Sequence, residues 1–188
     1  MMTEPWPFLR EKTAAAHRRL EALPRVARLF ADDYRKAELA ETLAVMLAVH
    51  RPLEQALAAG LDVNAFGYRL RWPLLVADLE ALGWAGRIAD VPFAPPDPVG
   101  AAAYLGVAYV IEGAMLGGQV IRQRLIGHFG PAIAGALGFY APYGDDGGRQ
   151  WRRFRQELDE RLTTRAAVEE CADAALFTFA HFAHALET

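Results

Sequence analysis

Apolar residues recur at helical spacing along almost the whole chain, and no convincing run of β-branched residues alternates with polar ones. This pattern predicts an all-α protein with five or six long helices. The predicted helices span roughly residues 7–23, 34–57, 72–82, 99–129, 149–162 and 164–186, with a short one near 131–137. Because no strand precedes the glycines near 144–148, a phosphate-binding loop is not predicted there.

Prolines, glycines and acidic residues mark the expected ends of the first three helices. Pro24 cannot continue the first helix, and Gly83 ends the third. The two aspartates at 32–33 can cap the second helix, which is expected to kink at Pro52.

A segment with four prolines, residues 91–98, separates the third and fourth predicted helices. It is predicted to be a loop, with Asp97 and Pro98 as the cap and first residue of the next helix. A second loop, rich in glycine and aspartate, is predicted at 143–148. The chain shows no internal repeat, and 188 residues suit one hydrophobic core, so we expect a single domain over 1–188.

Composition narrows the class of protein. Hydrophobic residues make up 53% of the chain and charged residues 23%, which is typical of a globular protein. A net charge of -3 provides no overall basic footprint for nucleic acid. The single cysteine, Cys171, excludes an internal disulfide and suits a reducing cytosol. With no secretory leader and no uninterrupted apolar run of ~20 residues, we expect a cytoplasmic protein without a membrane span.

One stripe of the first helix carries residues that could bind a ligand. Helical spacing places Arg10, Ala14, His17 and Glu21 on one face. A neutral imidazole at His17 can coordinate iron, and Glu21 can hold its other ring nitrogen or a bridging water. The alanine leaves room for a flat ring, and Arg10 could meet a propionate of that ring. The alternative interpretation is ordinary packing of an alanine-rich helix that contains one histidine.

The fourth predicted helix contains glycines at 100, 106, 113, 117, 118 and 127. Each interior glycine costs ~1 kcal/mol relative to alanine, so the cluster indicates a close backbone approach or a bend. Gly113 and Gly117 share one face, where bare backbone could lie against a planar ligand. The alternative interpretation is helix packing through small residues.

Together these segments resemble the heme oxygenase family. The segment 9–21, with its Lys-Thr pair and its His and Glu one turn apart, is similar to the family's proximal helix. The segment 109–121, with Glu-Gly followed by Leu-Gly-Gly, looks like the glycine-rich distal helix of the bacterial form. A weaker match, Trp-Arg-Arg-Phe at 151–154, resembles the start of the family's penultimate long helix. The resemblance is to the bacterial, biliverdin-producing type associated with bacteriophytochromes.

The resemblance implies a single-domain, multi-helical bundle that holds heme between the first and fourth helices. His17 would be the proximal iron ligand with Glu21 as its partner, while Gly113 and Gly117 would form the catalytic distal kink. Heme would be both cofactor and substrate, cleaved with O2 and external electrons to biliverdin, carbon monoxide and ferrous iron. The implied heme-binding residues are Arg10, Ala14, His17, Glu21, Tyr109, Gly113, Gly117, Gly118 and Arg152.

The distal side of the implied site departs from the family's pattern. Many relatives place Asp directly after the first distal glycine, where it supports a water network, whereas this chain has Ala114. A different hydrogen-bond arrangement is therefore needed. Tyr104, Tyr109, Gln119 or an ordered water could supply it.

The second propionate contact is also open, because the arginines at 149, 152, 153 and 155 crowd one helix start, and Arg152 is closest to the family's basic position. By family analogy the electron donor is a ferredoxin or a flavin reductase, and a phytochrome receives the biliverdin. The alternative functions are a heme-binding carrier or sensor of the same fold and a helical interaction module without a ligand.

Other metal chemistry has less support in the sequence. A ferritin-like di-iron site is excluded, because no Glu is followed by His three residues later. His181 and His184, one turn apart, could bind a metal with Glu187, although packing near phenylalanines is the simpler interpretation.

Overall fold

The computed structural model describes residues 4–94 and 100–187, and all regular structure in these ranges is helical. This confirms the all-α prediction. The α-helices are α1 (Pro5–Glu21), α2 (Pro24–Arg28), α3 (Lys36–Gly60), α4 (Trp72–Ala81), α5 (Ala101–Phe129), α6 (Gly147–Arg161) and α7 (Arg165–Glu187). Two short 3-10 helices, Pro131–Ala136 and Gly144–Asp146, follow α5.

Helix α3 begins later than predicted and has a different cap. It starts at Lys36, and the backbone amide of Arg35 donates to the Glu38 carboxylate over 3.0 Å, so the aspartates at 32–33 are not its cap. Glu38 caps the helix in place of the aspartates because it lies at the third helical position, from which a side chain can reach back to a free amide. The helix also continues through Pro52 to Gly60.

Another boundary also differs from the prediction. Helix α1 ends at Glu21, and Pro24 opens the short helix α2, which suits a residue with no amide to donate. The short helix predicted near 131–137 is present as the 3-10 helix Pro131–Ala136. The predicted cap and start of the next helix at 97–98 lie outside the described residues, and α5 is described from Ala101.

The core is built around the contact between α5 and α7. This contact explains Gly106, because a β-carbon there would overlap the Cys171 carbonyl oxygen and lie 2.9 Å from the β-carbon of Ala174. By length and composition α5 could cross a membrane, yet 67% of its most apolar stretch is buried within the described structure. A buried core helix has the same apolar character.

Helix α1 packs on α7, α6 and α2, whereas it makes no extensive contact with α5 within the described ranges. Both α1 and α5 therefore rest on α7 while remaining apart from each other. This separation creates the space in which the candidate site lies.

Candidate functional site

A cavity of about 560 Å³ is lined mainly by α1 and α5, and we refer to it as the α1–α5 cavity. Its volume lies in the range of roughly 300 to 1,000 Å³ that is typical of small-molecule sites. Helices α3 and α7 and the loop around Tyr140 supply most of the remaining lining, and Val26, Leu29, Arg71 and Trp151 also contribute. The sequence-predicted residues that line it are Arg10, Ala14, His17, Tyr109, Gly113 and Gly118.

His17 lies on the α1 side of the cavity with about half of its side chain exposed. Its Nδ1 is 3.3 Å from Oε2 of Glu21, one turn later, and its ring edge contacts Phe179 at a centroid distance of 5.9 Å. Glu21 is exposed and does not line the cavity. The contact through Nδ1 leaves Nε2 as the nitrogen that can bind a metal.

The α5 side of the cavity lacks side chains at two positions without a packing reason. A β-carbon at Gly113 would make only ordinary contact with Trp151 at 3.8 Å, and one at Gly117 would meet nothing within 4 Å. Gly118 differs, because its β-carbon would lie 2.8 Å from the Tyr140 carbonyl oxygen. Gly118 is therefore explained by contact with the loop, while Gly113 and Gly117 are not explained by protein packing. Gly117 is exposed and lies next to residues that line the cavity.

Two guanidinium groups meet at the Trp6 end of the cavity. Arg10 from α1 lies 5.6 Å from the centre of the Trp6 ring, and Arg155 from α6 lies 3.8 Å from it. Trp6 and Arg10 line the cavity, whereas Arg155 is not among the lining residues and lies behind Trp6. Nε of Arg155 is buried without a hydrogen-bond partner in the described residues. This end of the cavity can therefore hold an anionic group.

The other arginines of the α6 start point to other neighbours. Arg149 pairs with Asp146, and Arg153 donates to the Ala65 carbonyl oxygen over 2.8 Å. Arg152 is exposed and is not among the residues that line the cavity. The structure thus brings Arg155, and not Arg152, to the Trp6 end.

Of the side chains considered as substitutes for the distal Asp, Tyr109 lines the cavity. Its hydroxyl oxygen is 3.4 Å from that of Thr13, a contact that links α5 to α1. Tyr104 packs on the backbone of Gly60, and Gln119 donates to the Gly144 carbonyl oxygen over 3.2 Å.

Arg71 lines the cavity although no motif pointed to it. It is 2% exposed, and its Nη2 donates to Oε1 of Glu112 over 2.7 Å. The rings of Tyr68 and Tyr143 lie 5.0 and 4.9 Å from the guanidinium carbon. The sequence feature that could have pointed to Arg71 was Glu112, a charged residue inside the apolar stretch of α5 and directly before Gly113. A buried charge of this kind needs a partner, but periodicity does not identify which one.

His50 is a second lining residue that the sequence did not indicate. It is 3% exposed and lies between the rings of Phe139 and Phe182, with centroid distances of 5.2 and 5.1 Å. Burial, with a smaller effect of nearby Arg71, lowers the pKa of His50 to about 3, so the imidazole is neutral. Its Nδ1 is buried and has no partner in the described part of the chain.

The suggested metal site near the end of α7 has no structural support. No group of three or more His, Cys, Asp or Glu side chains within 4–94 and 100–187 is arranged to hold a metal ion. The ring of His181 contacts Phe93 at a centroid distance of 5.1 Å.

Sequence comparison identifies the family. The family model described as heme oxygenase matches residues 95–188. A curated protein named heme oxygenase from Xanthomonas campestris pv. campestris is 37% identical over 150 residues, which cover 76% of this chain and 87% of that protein.

Solved structures share the fold at lower identity. A heme oxygenase from Leptospira interrogans matches with a TM-score of 0.75 at 17% identity, covering 98% of this chain and 99% of that one. Heme oxygenase-1 from Synechocystis in complex with heme matches with a TM-score of 0.73 at 16% identity, covering 98% and 91%. NO- and CO-bound heme oxygenase from Neisseria meningitidis matches with a TM-score of 0.73 at 21% identity, covering 99% and 91%. The helical bundle and the sequence matches agree, and the chain belongs to the heme oxygenase family.

Proposed function

We propose that this heme oxygenase cleaves heme to biliverdin, carbon monoxide and ferrous iron, using O2 and electrons from a separate donor protein. One observation carries the proposal: the α1–α5 cavity has the free Nε2 of His17 on one side, and on the other it has Gly113, whose missing side chain protein packing does not explain. A flat macrocycle with a central iron needs these two features together. Family membership supports the reaction class.

The α1 side of the cavity suits the proximal face of heme. Nε2 of His17 would bind the iron, while Glu21 holds Nδ1 and so fixes the orientation of the ring. Ala14 lines the cavity one turn earlier and adds little bulk beside a macrocycle. Because His17 is about half exposed without a ligand, the protein binds iron there without first breaking a buried contact.

The α5 side suits the distal face. With only hydrogen atoms at Gly113 and Gly117, the backbone can approach the ring closely and leave space for a small ligand of the iron. When bound, heme supplies both the iron that activates O2 and the ring that is cleaved. The protein's part is to bind the ring, orient it and exclude bulky side chains from its open face.

Charge at the Trp6 end gives the ring one favoured direction in the cavity. Arg10 and Arg155 there would bind the propionates, and the apolar groups of the opposite end, Val26 and Leu29, suit the ring edge without charges. We therefore propose Arg155 for the second propionate contact, beside Arg152, which the sequence resemblance indicates.

Exposed cations lie on α1 and α6 around the cavity, among them Lys12, Arg18 and Arg152. They would attract an acidic electron donor, such as a ferredoxin or a flavin reductase. We propose that these partners meet the enzyme in the cytoplasm and that a phytochrome receives the biliverdin.

Hemin titration of the purified protein tests the proposal. The parent should form a complex with an intense Soret band, and addition of reductant and O2 should convert it to the absorbance of a bilin. In His17→Ala the iron loses its protein ligand, so this band should be weakened and shifted. Since about half of the His17 side chain is exposed, the substitution should change the free energy of unfolding by no more than about 0.5 kcal/mol.

His184→Ala is the matched control, because it removes an exposed histidine outside the cavity. It should retain both the Soret band and bilin formation. A parent protein without a Soret band would contradict heme binding, and unchanged binding by His17→Ala would contradict the ligand assignment. A complex that never decays to a bilin would favour the carrier or sensor.

A further inference from the structure

The α5 side of the cavity contains one buried ion pair that heme binding itself does not use. Glu112 directly precedes Gly113 and is fully buried, and its partner Arg71 lines the cavity. Forty-one positions separate the two residues along the chain. Glu112 is not among the residues that line the cavity, so Arg71 is the member of the pair that faces it. Since a buried ion pair is weak support for stability, its place next to the cavity needs another reason.

Arg71 is held in one orientation by several neighbours. Its guanidinium lies between the rings of Tyr68 and Tyr143, and it donates hydrogen bonds to the Arg69 carbonyl oxygen and to Glu112. Tyr143 also donates to Oε1 of Glu112 over 2.8 Å. A charge held by this many contacts keeps a constant position and direction.

Only one oxygen of Glu112 is satisfied by these contacts. Oε1 accepts hydrogen bonds from Arg71 and Tyr143, while Oε2 is buried without a partner among the described residues. A buried carboxylate oxygen without a hydrogen bond is costly, and such groups are commonly satisfied by ordered water.

We infer that Arg71 and Glu112 are positioning residues that hold an ordered water beside Gly113, in place of the hydrogen bonds that Ala114 cannot make. This inference rests on the proposed function. The water would donate to Oε2 of Glu112 and offer its second proton toward the open face of bound heme. The arrangement supplies directed hydrogen bonds without placing a side chain over the ring.

Other polar groups facing the cavity are less suited to this role. Tyr109 is engaged with Thr13 at the α1 boundary. His50 is neutral and lies between two phenylalanine rings, so it contributes no charge to the field. Arg71 and Glu112 are therefore the charged pair that can orient a water near Gly113.

The test uses the pH at which the visible spectrum of the hemin complex changes as the water on the open face of the iron loses a proton. A nearby carboxylate disfavours the new negative charge, and a nearby guanidinium favours it. Glu112→Gln should lower the pH midpoint and Arg71→Gln should raise it, each by on the order of one pH unit. Glu157→Gln, which removes an ion-paired carboxylate from α6 outside the cavity, should leave the midpoint unchanged.

Shifts of the pH midpoint in opposite directions support the inference. A general loosening of the fold would shift the midpoints of both variants in the same direction, whichever charge was removed. Both single variants should also form bilin about 10-fold more slowly. Equal midpoints in the parent and both variants, with the Soret band and helical circular dichroism preserved, would overturn it. So would shifts in the same direction.

Removing one member of a buried pair can prevent folding, so the double variant Arg71→Gln/Glu112→Gln provides a second test. A neutral amide pair should restore a midpoint near that of the parent while bilin formation remains slow. Parent-like bilin formation by the double variant would also overturn the inference. Failure of the proposed function is distinguishable, since it would appear as a missing Soret band in the parent.

Discussion

His17 and His50 line the same cavity but lie in opposite environments. His17 is about half exposed and contacts a carboxylate, whereas His50 is buried between two phenylalanine rings. Exposure leaves the first imidazole free to bind iron. Burial keeps the second imidazole neutral, because the charged form would lose its hydration.

This difference predicts how the pH changes the stability of the ligand-free protein. The pKa of His50 is about 3 in the folded protein and about 6.5 in an unfolded chain, so the unfolded state binds more protons as the pH falls below 6.5. Between pH 7.5 and 5.5 the parent should lose about 1.4 kcal/mol more of its free energy of unfolding than His50→Gln. Denaturant titrations at the two pH values measure this difference.

His184→Gln is the control for that experiment, since it replaces an exposed histidine. It should show the same loss as the parent. Equal losses in the parent and in His50→Gln would show that His50 is not kept neutral by the fold.

At the scale of the elements, helix α5 carries glycines with different roles. Gly106 permits the close approach of α7, and Gly118 permits contact with the loop at Tyr140. Gly113 and Gly117 contact little in the protein itself, which is why we assign them to the ligand. One helix thus combines glycines that packing explains with glycines that packing does not explain, and we propose that the latter serve ligand binding.

The neighbouring glycines at 117 and 118 allow a direct comparison. In the ligand-free protein Gly117→Ala should raise the free energy of unfolding by up to about 1 kcal/mol, because alanine favours the helix and its methyl group meets open space. Gly118→Ala should lower it, because the methyl group would press on the Tyr140 carbonyl oxygen. Denaturant titration of both variants measures the difference.

The same Gly117→Ala variant should bind hemin more weakly or form bilin more slowly than the parent, since the added methyl group narrows the distal side. A variant that is more stable than the parent without ligand, but binds hemin more weakly or forms bilin more slowly, would show that Gly117 has a binding role and not a packing role. Parent-like hemin affinity and bilin formation would contradict the assignment of Gly117.

At the scale of the whole molecule, the ligand-free protein exposes apolar surface at the α1–α5 cavity. Leu116 lines the cavity and is 46% exposed, and Val26 and Leu29 line it from the segment after α1. A bound macrocycle would cover such surface and connect α1 with α5, which otherwise have little direct contact. Ligand binding should therefore stabilise the entire fold.

Hemin should raise the Tm in proportion to the logarithm of its free concentration. At 100 times the Kd the stabilisation is about 2.7 kcal/mol, which corresponds to roughly 5 to 10 °C for a chain of this size. Thermal unfolding followed by circular dichroism measures the shift. Iron-free protoporphyrin IX should produce a smaller shift in Tm, because it cannot bind Nε2 of His17. Equal shifts from the two compounds would contradict iron ligation.

Much of the helical fold was predictable because helical periodicity is a local property. The order of the long helices, the stripe that carries His17 and Glu21, and the shared face of Gly113 and Gly117 all follow from spacings of a few residues. Helix ends were less predictable, as the cap of α3 by Glu38 shows, because several nearby groups compete for the same free amides.

The tertiary structure decided which distant residues meet. Arg155 reaches Trp6 only because α6 packs on α1. Arg71 pairs with Glu112 only because the tertiary fold brings the residue before α4 next to α5. His50 likewise lines the cavity only because tertiary packing places α3 beside it. Local spacing in the sequence thus determined the helices and their ligand-bearing faces. The cavity, its charged end and its buried ion pair depended on packing between elements, which no spacing along a single helix contains.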